Sequence, residues 1–158
     1  MDKVYFYKTS LGVLGIICNN HMLTRVFFDE MYDVKKMIIE ETDLHRKVFT
    51  QIEEFLHGHR RIFDIPYQLN GTSFQKRVWN VLSSIPYGTT VSYQDVAKML
   101  GNEKASRAVG MANHKNPLIL IIPCHRVCGR NGSLTGYAGG LDRKEMLLTL
   151  ESKYLEES

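Results

Sequence analysis

The chain has 158 residues, 44% of them hydrophobic and 23% charged, with a formal net charge of +3 and three cysteines. This composition excludes a disordered or low-complexity chain, and no apolar run reaches the roughly 18–20 residues that a membrane-spanning helix needs. Charge is uneven: Met1–Gln68 carries 9 basic and 10 acidic side chains (net −1), whereas Leu69–Ser158 carries 11 and 7 (net +4). The second half is therefore the half that suits a phosphate-bearing partner. Cys18, Cys124 and Cys128 cannot all pair with one another, and Met1-Asp2-Lys3-Val4-Tyr5 lacks the apolar core of a signal peptide. The expectation is a cytoplasmic protein with reduced thiols and no membrane association.

In chain order, Lys3–Tyr7 and Gly12–Cys18 are rich in Val, Ile, Tyr and Phe and read as strands. Asn19-Asn20-His21 turns the chain, and Met22–Phe28 reads as a third strand, antiparallel to the second. A helix is expected over Asp33–Ile39. A stronger one spans Asp43–Leu56, where Leu44, Val48, Ile52, Phe55 and Leu56 share a face and Gly58 stands at the C-terminal cap position. Arg61–Ile65 reads as a short strand ended by Pro66. His45, His57 and His59 read as surface histidines, and Cys18 as a buried filler.

A boundary falls near residues 67–71, dividing the chain into domains 1–68 and 69–158. Thr72-Ser73-Phe74-Gln75 has the form of a capping box opening a helix with Phe74, Val78, Trp79 and Leu82 on one face. Ile85-Pro86-Tyr87-Gly88 ends it. A short strand over Thr89–Val91 follows, then Ser92 as the cap of a helix to Leu100, then Gly101, then a helix from Lys104 to Ala112. This is the outline of a helix-turn-helix. The second helix is small-sided, with Ala105, Ala108, Gly110 and Ala112, and it carries Arg107. Small residues allow close approach to another surface, such as a DNA groove.

Leu118–Ile122 is a continuous apolar run, read as a buried strand, which ends in Pro123-Cys124-His125-Arg126-Val127. A thiol at the rim of a core, next to an imidazole and a guanidinium, is expected to be enriched in its nucleophilic thiolate. His125 is the nearest candidate for a base, although adjacent residues do not of necessity face each other.

From about Thr72 to Tyr154 the chain resembles the O6-alkylguanine-DNA alkyltransferases. Pro123-Cys124-His125-Arg126-Val127, Arg107-Ala108-Val109-Gly110, Asn116-Pro117 and Leu147-Leu148-Thr149-Leu150-Glu151 carry the resemblance. It implies an α/β chain of the α+β kind, with a small ribonuclease-H-like first domain and a helix-turn-helix second domain. It implies direct repair of double-stranded DNA: irreversible, single-turnover transfer of the alkyl group from O6-alkylguanine, with O4-alkylthymine a candidate second substrate, to Cys124. The resemblance assigns His125 and Glu151 to activating the thiol through a water, and the Tyr93 hydroxyl to protonating the extruded base. Arg107, Ala108 and Gly110 would face DNA, with Arg107 filling the gap in the stack. Tyr137, Ala138, Val127 and Asn116 would form the pocket, with Tyr137 stacking on the base and the Ala138 amide donating to O6. Arg126 is expected to bond loop carbonyls, and Lys144 is a candidate for supporting the pocket. The implied protein is a monomer and needs no cofactor or metal.

Three alternatives remain open on the residues alone. A cysteine hydrolase could use Cys124 and His125. A zinc site could draw on His114, Cys124, His125 and Cys128. A helix-turn-helix protein could bind DNA without chemistry.

Overall fold

The computed structural model describes residues 1–158. The β-branched and aromatic residues of the first 28 positions form β1 (Lys3–Thr9), β2 (Gly12–Cys18) and β3 (Leu23–Phe28), a meander in which β2 pairs antiparallel with both neighbours. The expected helix over Asp33–Ile39 does not form. A single 3-10 turn at Asp29–Met31 precedes β4 (Ile38–Ile39), which adds to β1 in parallel and gives the order β3-β2-β1-β4. Met31, Val34 and Met37 pack on Val4, Ile17 and Phe27 instead, so burial against the sheet overrides local helical pattern.

α1 (Asp43–Leu56) buries Val48, Ile52, Phe55 and Leu56 and packs on β1 and β2. Gly58 takes the left-handed conformation, φ +79°, that ends such a helix. His45 corrects the surface reading. It is fully buried, caps the helix start with Thr42, and places Nε2 3.0 Å from the Lys3 carbonyl oxygen. Burial lowers its pKa. Arg61–Ile65 is not a strand; the chain there makes only a bridge at Tyr67 to Leu23.

The chain divides into two compact units, Met1–Asn70 with Pro117–Ile121, and Gly71–Asn116 with Ile122–Ser158. The apolar run is thus split between units and is not a regular strand. Leu118 bridges Val26, and Leu120 turns the chain with φ +71°. Prolines at both ends remove two ladder donors, which explains why burial here does not bring sheet formation.

In the second unit the Thr72–Gln75 capping box starts α2 (Ser73–Leu82), which buries Val78, Trp79 and Leu82. β5 (Val91–Ser92) leads into α3 (Tyr93–Met99), capped by Ser92 and Asp95. Gly101, φ +82°, and a 3-10 turn at Glu103–Ala105 lead to α4 (Ser106–His114). The Trp79 indole donates to the Ala112 carbonyl at 2.8 Å, tying α2 to α4. β6 (Val127–Cys128) pairs in parallel with β5, and α5 (Leu141–Glu156) closes the chain. No helix is long and apolar enough to cross a membrane. The fold is mixed α+β.

Candidate active site

Pro123 ends the apolar run, and Cys124–Arg126 form a 3-10 turn that extends directly into β6. The Cys124 amide donates to the Ile122 carbonyl at 2.8 Å, and the residue is only 1% exposed. Asn116 donates to the same Ile122 carbonyl at 2.8 Å, and Val127 is buried in β6. Burial pushes the Cys124 thiol up to about 11, against the opposing pull of a hydrogen bond from Asn116 and the positive charge of Lys144. This corrects the expectation of a thiolate favoured by its two sequence neighbours. His125 and Arg126 are both directed to Glu151.

Glu151 is the hub of the site. α5 places Lys144, Leu147 and Glu151 on one buried stripe, three and four residues apart. The Glu151 carboxylate accepts from His125 Nε2 at 2.7 Å and from Arg126 Nε and Nη2 at 2.9 and 2.8 Å. It also accepts from the Gly88 amide at 3.0 Å. Burial pushes its pKa up, but the hydrogen bonds from His125 and Arg126 prevail and hold it at about 2. The anion therefore fixes the proton of a neutral imidazole on Nε2 and leaves Nδ1 as the basic nitrogen. Burial lowers the His125 pKa, so the ring is neutral near pH 7. Arg126 also donates to the Ile85 carbonyl at 2.8 Å, so it bonds one loop carbonyl and one carboxylate.

Lys144 is not solvent-exposed. It is fully buried and donates to the carbonyls of Val127 and Thr135, the latter at 2.7 Å. Tyr137 is buried, and its hydroxyl has no hydrogen-bond partner. Ala138, next in the chain, is half-buried. The Tyr93 hydroxyl donates to the Thr135 carbonyl at 3.0 Å. Tyr93, Arg107, Gly110, Met111, Thr135 and Gly136 line a groove of about 590 Å³. Arg107 and Ala108 are exposed on α4.

The second unit thus holds two groupings: a buried one around Cys124, His125, Asn116, Tyr137 and Glu151, and the α4 groove with Tyr93, Arg107 and Gly110. His114, Cys124, His125 and Cys128 do not assemble into a ligand set. Sequence reasoning misses Asn113, which is 1% exposed and donates through Nδ2 to the Cys124 carbonyl at 3.4 Å. The available signal was a polar residue on the same face as Val109 and Ala112.

A buried cysteine beside a carboxylate-held histidine, on a unit containing a helix-turn-helix, agrees with known sequences. Residues 73–153 match the model of the 6-O-methylguanine DNA methyltransferase DNA-binding domain, and residues 3–69 match that of the family's ribonuclease-like domain. The chain belongs to the 6-O-methylguanine DNA methyltransferase family. It is 53% identical over 113 residues to a methylated-DNA–protein-cysteine methyltransferase of Methanosarcina acetivorans, covering 72% of each chain. It is 50% identical over 146 residues to the protein of that name from Mycolicibacterium paratuberculosis, covering 91% of this chain and 88% of the relative. The OGT of Mycobacterium tuberculosis in complex with DNA superposes with a TM-score of 0.91 at 37% identity, covering 96% of this chain and 94% of that one.

Proposed function

We propose that the protein repairs double-stranded DNA by taking the alkyl group of O6-alkylguanine onto the sulfur of Cys124, once per molecule. The observation that carries this reading is the buried Cys124, followed directly in the chain by a buried His125 whose Nε2 lies 2.7 Å from the Glu151 carboxylate, an anion near pKa 2 that fixes the imidazole tautomer. His125 receives the thiol proton at Nδ1, directly or through a water, as the sulfur attacks the alkyl carbon. The S–C bond forms, the C–O6 bond breaks, and a proton passes to the departing guanine, the part proposed for the Tyr93 hydroxyl. The thioether has no leaving path, so the protein is consumed.

The alkyl carbon is reached only after the nucleotide leaves the stack, at a cost of a few kcal/mol. Arg107, exposed on α4, fills the gap, and Ala108 and Gly110 let the helix approach the duplex. Gly110 supports this: a Cβ there would make only ordinary contact with Tyr93 at 3.7 Å, so the fold itself does not demand a glycine. Tyr137, Ala138, Val127 and Asn116 form the base pocket. Residues 69–158 carry DNA binding and chemistry. The working form is a cytoplasmic monomer that needs no cofactor.

The test is peptide mapping by mass spectrometry after incubation with an O6-methylguanine duplex. One methyl group on Cys124, and none acquired by Cys124→Ala, is the expected result. A methyl group elsewhere, or repeated turnover by one polypeptide, overturns the reading.

A further inference from the structure

Asn113 lies on the inner face of α4 with Val109 and Ala112, all three buried. Its Nδ2 donates to the Cys124 carbonyl, while its Oδ1 is buried with no hydrogen-bond partner. An unpaired buried acceptor is costly, and an apolar side chain of the same size would remove that cost. Packing alone therefore favours leucine at this position, and the amide must be kept for its donor. The turn of α4 that carries it is fixed by the Trp79 bond to Ala112. Three residues on, Asn116 donates to Ile122. The two amides bracket Pro123-Cys124, one holding the carbonyl before the pair and the other the carbonyl of the nucleophile itself.

We propose that Asn113 is a positioning residue that holds the Cys124 backbone from α4, so that one helix both lines the Arg107 groove and sets the direction of the sulfur. This deepens the functional reading above and rests on it. Small misplacements of a reacting group cost up to about 100-fold in rate. Asn113 bonds the Cys124 carbonyl and does not line the groove, so its effect falls on the transfer step and not on DNA affinity.

The experiment measures three quantities for Asn113→Leu: the single-turnover methyl-transfer rate at saturating O6-methylguanine duplex, the duplex Kd, and Tm. The expected result is a rate lowered about tenfold or more, with Kd unchanged and Tm equal to or above wild type. Asn113→Asp keeps the shape and serves if the leucine variant fails to fold. Its rate relative to wild type should fall between about pH 5 and pH 9, because a carboxylic acid can donate to the Cys124 carbonyl and a carboxylate cannot. A wild-type rate in Asn113→Leu, a rate loss that tracks Kd or Tm, or a flat ratio of one for Asn113→Asp overturns the inference. Wild-type protein that acquires no methyl group overturns the functional reading and this inference with it.

Discussion

At the scale of single residues, the site turns on the anion of Glu151. Its hydrogen bonds to His125 and Arg126 lower its pKa from 4.5 to about 2, so the folded state holds the carboxylate more tightly ionised than the unfolded chain does. A depressed acid contributes stability that is present above the unfolded pKa and is lost as pH falls through the folded one. For Glu151 that window runs from about pH 4.5 down to about pH 2. His125 is held neutral below its ordinary 6.5, so the unfolded chain takes up its proton first and acid is destabilising from that point downward. Urea midpoints should therefore fall progressively with acidification below about pH 6. Glu151→Gln should cost about 3–5 kcal/mol at neutral pH, because it leaves the buried Arg126 charge without its carboxylate. Its urea midpoint should also depend less on pH below about 4.5 than that of wild type.

At the scale of elements, α4 combines two faces with opposite demands. Val109, Ala112 and Asn113 are buried, while Arg107 and Ala108 face outward and Gly110 lines the groove between them and Tyr93. A glycine inside a helix costs about 0.5–1 kcal/mol relative to alanine. Since Cβ at position 110 meets only ordinary contact, Gly110→Ala should raise or preserve Tm while weakening duplex binding. A thermal melt and a gel-shift titration of the same preparation separate the two effects. If Gly110→Ala binds the duplex as wild type does, α4 does not approach DNA along this face. α5 contributes differently: its buried stripe carries Lys144 and Glu151, two charges whose partners all lie outside the helix, Val127 and Thr135 for the lysine and Gly88, His125 and Arg126 for the carboxylate.

At the scale of the whole molecule, charge gives the sharpest expectation. The net +4 of residues 69–158, against −1 for residues 1–68, assigns electrostatic attraction to the part that bears α4. Duplex affinity should fall about 10- to 100-fold between about 50 and about 200 mM salt, as expected when a few phosphates are neutralised. Fluorescence anisotropy across a salt series measures this, and a flat dependence would contradict binding through the basic surface.

Where a local pattern decided the outcome, the sequence was sufficient. Gly12–Cys18, the limits of α1, and the caps at Thr72 and Ser92 follow from alternation, periodicity and short-range hydrogen bonding, which act over a few residues. The short motifs around Cys124, Arg107 and Glu151 marked the family through residue identity alone. What needed the tertiary structure was everything set by partners distant along the chain. Asp33–Ile39 gave up its helix to pack on Val4, Ile17 and Phe27, and the run Leu118–Ile122 is buried without becoming a strand. His45 and Lys144 look like surface residues in sequence, yet the carbonyls of Lys3, Val127 and Thr135 receive them in the interior. The protonation of Cys124 was decided the same way. Adjacency in sequence put an imidazole and a guanidinium beside the thiol, but folding directed both to Glu151 and left desolvation to dominate, because charge interactions depend on distance and dielectric and not on order along the chain.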